Sequence, residues 1–158
     1  EIGSGLVGSE MCIRDRSNVD TTKKLHCTIS IDCATILNNL SDLDPAKLDV
    51  LPTDGVVLGA VTVEFSEGES VFDVLQRVCR ENNIHLEATF TPGYNSAYVE
   101  GIHNLYEFDC GELSGWMYSV NGWFPNYGCS RYALQDGDVI RWRYTCNLGA
   151  DVGGSMVA

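Results

Sequence analysis

The stretch Gly115-Trp116-Met117-Tyr118-Ser119-Val120-Asn121-Gly122-Trp123-Phe124-Pro125-Asn126-Tyr127-Gly128-Cys129, followed by Leu134-Gln135-Asp136-Gly137-Asp138-Val139-Ile140, decides the fold. Asn121-Gly122 closes an extended run, and both residues accept the positive φ of a two-residue hairpin turn. Asp136-Gly137 repeats the signal ahead of Val139-Cys146, where apolar and polar residues alternate. Alternation puts Ile140, Trp142, Tyr144 and Cys146 on one face of that last strand. Val139, Arg141, Arg143 and Thr145 take the other.

Upstream, Cys27-Thr28-Ile29-Ser30-Ile31-Asp32-Cys33 also alternates and reads as a half-buried first strand. Ala34, Leu37, Leu40 and Leu43 recur at helical spacing over a short helix that Asp44-Pro45 ends, and Pro52-Thr53-Asp54-Gly55 marks a turn. Val56-Leu58 and Val61-Phe65 read as extended, the second with Val61, Val63 and Phe65 together. Ser70 to Asn82 is the clearest helix. Ser70 and Asp73 make a capping-box start, and Val71, Val74, Leu75 and Val78 give one apolar face. Strands are expected at Ile84–Glu87 and Tyr98–Ile102, joined by a loop at Thr91–Asn95. The expected class is α+β: a mixed sheet with one main packed helix.

A charge of −12, from 22 acidic and 10 basic residues, repels phosphate backbones and excludes nucleic acid as a natural partner. No apolar run approaches the roughly 18–20 residues that span a bilayer. Residues 1–17 show no periodicity and resemble a translated sequencing-adapter read-through, so they are read as non-native and set aside. Residues 18–24 read as a linker, 25–148 as the domain and 149–158 as a glycine-rich tail that frays.

Setting residues 1–17 aside leaves six cysteines: Cys27, Cys33, Cys79, Cys110, Cys129 and Cys146. An even number in a small acidic domain suits an oxidising compartment, hence an extracellular or cell-surface location. Reduced core thiols are the alternative. The chain has no Cys-x-x-Cys pair and no histidine at ligand spacing from a cysteine, which speaks against structural zinc. Asp42, Asp44, Asp49 and Asp54 do not have calcium-loop spacing and read as solvated loop charge.

Gly-Trp-Met-Tyr-x-Val-Asn-Gly (115–122), the aromatic loop after it, and Leu-x-Asp-Gly-Asp-Val-Ile (134–140) resemble a bacterial surface domain of unknown function. That domain is related to the C-terminal domain of the cobalamin carriers transcobalamin and intrinsic factor, within the soluble-ligand-binding β-grasp superfamily. The resemblance runs from about Cys27 to Gly154 and implies a β-grasp (ubiquitin-like) fold, with first and last strands parallel neighbours and the helix across one face. Given that fold, strand parity suggests bridges Cys33–Cys146 and Cys110–Cys129, which leaves Cys27 and Cys79 to pair or to stay as small buried hydrophobes.

The resemblance further implies a non-catalytic module of a Gram-positive surface or secreted protein, taking a small soluble ligand, with cobalamin or another corrinoid as the sharpest candidate. The carriers' helical barrel, the other half of their corrinoid site, has no counterpart in this sequence. The alternative is a disulfide-stabilised interaction domain for protein or glycan.

Among the aromatics from Tyr94 to Trp142, those on strands (Trp116, Tyr118, Trp142) read as core. Trp123, Phe124 and Tyr127, with Asn126 and Tyr94, lie in loops and are the candidate ligand-binding residues, since loop aromatics give contact area at little entropic cost; anchoring of the loop is the alternative for the three aromatics of 123–127. Cys110, His103 and Glu100 form the one set that nucleophilic chemistry would need, and no hydrolase signature surrounds them. No catalysis is expected.

Overall fold

The computed structural model describes residues 24–91, 96–125 and 127–152. The segment read as non-native, nearly all of the linker, the tail beyond Val152, and the candidate residues Tyr94 and Asn126 lie outside the described residues.

Strand β1 (Lys24–Asp32) runs antiparallel to β2 (Val56–Ser66) and parallel to β7 (Val139–Thr145), which pairs antiparallel with β6 (Gly115–Val120). The four-stranded order is β2-β1-β7-β6, the β-grasp arrangement of an α+β fold. Helix α1 (Val71–Glu81) presents Val71, Val74, Leu75, Val78 and Cys79, all buried, to a core that includes Cys27, Ile29 and Ile31 of β1 and Ile140, Trp142 and Tyr144 of β7. A second sheet, β3 (Leu86–Thr91), β4 (Ser96–Ile102) and β5 (Leu105–Tyr106), joins the core where Trp116 Nε1 donates to Leu105 O at 2.8 Å. Tyr144 makes the same kind of link, its hydroxyl donating to Tyr106 O at 2.8 Å. No helix among the described residues is long and apolar enough to cross a membrane.

The capping box forms as read: Ser70 Oγ accepts from Asp73 N, and Asp73 Oδ2 accepts from Ser70 N. Elsewhere the elements differ from expectation. The stretch after Cys33 makes three 3-10 segments (Ala34–Asn38, Leu40–Asp42, Pro45–Val50), anchored by buried Ile36 and Leu43, while Leu40 is exposed. The two short extended runs are one strand, β2, with an extra residue where Ile29 faces Val61 and Ile31 faces Leu58. Ala150–Val152 is a 3-10 turn, and Asp151 accepts from Thr145 Oγ1 and Cys146 N.

The expected bridges Cys33–Cys146 and Cys110–Cys129 do not form, and Cys27 and Cys79 stay as buried thiols; all six are free. Continuing the β1/β7 register past Asp32↔Arg143 puts Cys33 opposite Tyr144, two residues short of Cys146. That offset separates the Cα atoms by about 8 Å, beyond the roughly 7 Å a disulfide tolerates. Cys27 lies beside Glu69 and Asp138 at the start of α1, whereas Cys79 is in its last turn. Cys129 packs near Asp73 and Ala97 O, while Cys110 packs on Asn39 O near the other end of β7.

A candidate ligand-binding loop

Two turns dock the aromatic loop onto the N-terminal end of β7. Asn121 (φ 54°) and Gly122 (φ 86°) both hold positive φ, and Val120 and Trp123 exchange backbone hydrogen bonds of 2.9 and 3.0 Å across them. Asn121 uses its whole amide. Its Nδ2 donates to Asp138 Oδ1 at 2.9 Å, and its Oδ1 accepts from Val139 N at 2.9 Å. The Asp136-Gly137 turn is held in turn by β1, through His26 N to Asp136 Oδ1 (2.8 Å) and Gly137 N to His26 O (2.7 Å).

Beyond the hairpin, the loop is fixed from beneath and left bare on top. Tyr118, buried on β6, donates its hydroxyl to Tyr127 O at 2.8 Å. Gly128 lies directly on Ser96, and Ser130 Oγ accepts from Ala97 N at 2.9 Å, so the loop rests on the start of β4. Val71 N donates to Tyr132 O and Leu134 N to Glu69 O, which fastens the loop's exit to the head of α1. Trp123 is 54% exposed, with its ring edge-on to Tyr127 at 6.3 Å between centroids. Phe124 and Tyr127 are half-buried. The expected division of the aromatics therefore holds in burial: Trp116, Tyr118 and Trp142 are core, and Trp123 is surface.

One further residue joins this face that the sequence did not single out. The Arg131 guanidinium stands 5.9 Å over the Tyr127 ring. Phe90 and Tyr98, each about half exposed, are on opposite sides of the hairpin that carries Ser96: Phe90 shares a side with Ala97, and Tyr98 faces the other way and donates its hydroxyl to Glu107. Arg131 four residues after Tyr127 was the available signal, since one short turn brings those positions together. The tyrosines are neutral hydrogen-bonding groups at physiological pH: burial and then Glu107 push Tyr98 up to about 12, and burial and then Asp138 do the same for Tyr132. The face can stack a planar ligand and hydrogen-bond its rim.

A separate cleft of about 590 Å³ lies toward the other end of the sheet, lined by Asp42, Leu43, Asp44, Pro45, Phe108, Asp109, Gly111 and Glu112. It is wide open, and its carboxylates are engaged in part: Asp44 caps Ala46 N, and Asp109 pairs with Lys47 at 3.5 Å. Among the described residues, no three His, Cys, Asp or Glu side chains are grouped to hold a metal. The nucleophile candidates have other partners: Cys110 faces Asn39 O, its thiol pushed up to about 12 chiefly by burial, and Glu100 takes the Thr89 hydroxyl.

Residues 68–146, half of the 158, match the family model described as "Domain of unknown function (DUF4430)". The chain belongs to the DUF4430 family. The matched DUF4430 region begins just before α1 and ends just after β7, and it holds the whole aromatic loop. No curated protein matches this DUF4430 chain. Among solved structures it is similar to haptocorrin in complex with Cbi (TM-score 0.54, 14% identity), over 83% of this chain and 27% of the haptocorrin chain. It spans about a quarter of that chain's length. It is also similar to a protein from Ruminococcus gnavus ATCC 29149 described as a "putative metal binding protein" (TM-score 0.44, 15% identity), over 77% of this chain and 96% of that one.

Proposed function

We propose that this DUF4430 domain is a non-catalytic, exported module that binds a small soluble ligand on the Trp123–Tyr127 face. The observation that carries the reading is an exposed tryptophan on a loop held from the core by the Tyr118 hydroxyl on Tyr127 O and from β4 by Ala97 N on Ser130 Oγ. Such prior fixing lowers the entropic cost of binding. The fold shared with haptocorrin, solved in complex with Cbi, makes a corrinoid the first ligand to test. A single wall limits affinity, because the opposite side of the ligand stays in water.

The test is equilibrium dialysis of the full chain against cobalamin and cobinamide at concentrations on the order of tens of micromolar. Retention is expected, and it should vanish in a Trp123→Ala, Phe124→Ala variant. Retention that survives the double substitution would move the site elsewhere, and no retention would end the corrinoid reading.

A second reading rests on β2, an edge strand with Val61 exposed. Such an edge can accept a partner's strand, as an interaction domain for another surface protein would.

A further inference from the structure

Two sulfur atoms meet at the end of the sheet opposite the aromatic loop. Cys110 Sγ lies 3.4 Å from Asn39 O, and Cys146 Sγ lies 3.6 Å from Thr35 Oγ1. Thr35 and Asn39 belong to one turn, closed by Asn39 Nδ2 donating to Thr35 O at 2.9 Å, so both thiols rest on the same short stretch. They are also close enough for each thiol to bear on the other's proton affinity. The backbones on either side are stitched together: Leu148 N donates to Leu113 O at 3.0 Å, Tyr144's hydroxyl lies 3.0 Å from Ser114 Oγ, and Ser114 Oγ accepts from Cys110 N at 3.1 Å.

We propose that Cys110 and Cys146 are a disulfide-forming pair, bridging the loop after β5 to the end of β7. Both sulfurs rest on the Thr35–Asn39 turn and the backbones behind them are joined, so side-chain rotation is the main movement that bonding distance requires. Cys146 is the one half-buried thiol of the six, and the other five are buried. It is therefore the point of entry for an external disulfide such as oxidised glutathione. The Cys146 thiolate, its proton given to water, attacks one glutathione sulfur and expels the other as glutathione thiolate. Cys110, its proton also lost to solvent, attacks the Cys146 sulfur of the mixed disulfide and releases the second thiolate. Two cysteine thiols give up two electrons and two protons, and the glutathione disulfide takes them up as two thiols. Cys33 lies near enough to feel the charge of Cys146, but it is the Cys110 sulfur that shares the Thr35–Asn39 turn with the Cys146 sulfur.

The bridge would enclose β6, the aromatic loop and β7 within one covalent loop, restricting the unfolded chain. The test uses the full chain held with oxidised glutathione under native conditions, then alkylated, digested without reduction and mapped by mass spectrometry. A single cross-linked pair carrying Cys110 and Cys146 is expected. Thermal unfolding should shift up by about 10 °C, reverse with dithiothreitol, and show no shift in Cys146→Ser. Recovery of Cys146 joined to Cys33, of Cys110 joined to Cys129, or of both Cys110 and Cys146 alkylated would overturn the proposal.

Discussion

At Gly128 the backbone is ordinary (φ −64°, ψ 150°), and only space requires glycine. A Cβ would fall on Ser96 Oγ and come within 3.0 Å of Ala97 O, a backbone atom that cannot swing away. Gly128→Ala should therefore cost about 1–3 kcal/mol, the range for overpacking, read as a lower urea midpoint with unchanged slope. Because the displaced partner is β4, the same change should loosen the aromatic loop and weaken ligand retention. Trp123→Ala makes the opposite prediction. Its ring is mostly in water, so stability should stay within about 0.5 kcal/mol while retention falls. A Gly128→Ala protein as stable as the parent would show that the loop does not rest on β4 in solution.

Among the elements, α1 has a pH-sensitive attachment. Arg77 Nη1 and Nη2 donate to Glu69 at 2.7 and 3.0 Å, and Glu69 Oε1 accepts from Ser66 N at 2.9 Å, so one carboxylate ties the helix to the turn after β2. The Arg77 hydrogen bond holds the Glu69 carboxyl below its usual value. The folded state then binds fewer protons than the unfolded one in that interval. The contribution is complete above the unfolded value near 4.3 and is lost as pH falls through the lower folded value. Glu69→Gln should destabilise the protein at pH 7 and have little effect at pH 2–3, so urea midpoints of the two proteins should converge on acidification. Equal gaps at both pH values would remove the carboxylate from the account.

The same elements explain what the sequence made legible. Helix α1 and β7 each carry a periodic apolar pattern and a terminal signal, the capping box or a positive-φ turn, so pattern and boundary agree, and β1 carries the alternation alone. The stretch 34–50 misleads because its three-residue spacing suits a 3-10 turn as well as an α-helix. Its real anchors, Ile36 and Leu43, are chosen by tertiary packing. In β2 the extra residue breaks the alternation, so one strand reads as two. Arg131 was not legible as part of the candidate face because its place over Tyr127 depends on how the 129–131 turn seats against β4. Local periodicity says nothing about that placement.

For the molecule as a whole, one pairing has a mechanical meaning. Strands β1 and β7 lie side by side and parallel, Thr28 against Val139 through Asp32 against Arg143. The start of β1 and the end of β7 are therefore at opposite ends of the sheet. Tension applied through Lys24 and Thr145 loads the ladder between them in shear, so its evenly spaced hydrogen bonds share the force and must yield together. Tension through Lys24 and Val139, at the same end, would peel them apart one at a time. Single-molecule pulling should record a clearly higher unfolding force in the first geometry, since forced unfolding reports the barrier rather than the equilibrium. A domain strung between two anchors would hold as a clamp along its own chain while presenting its aromatic loop undeformed.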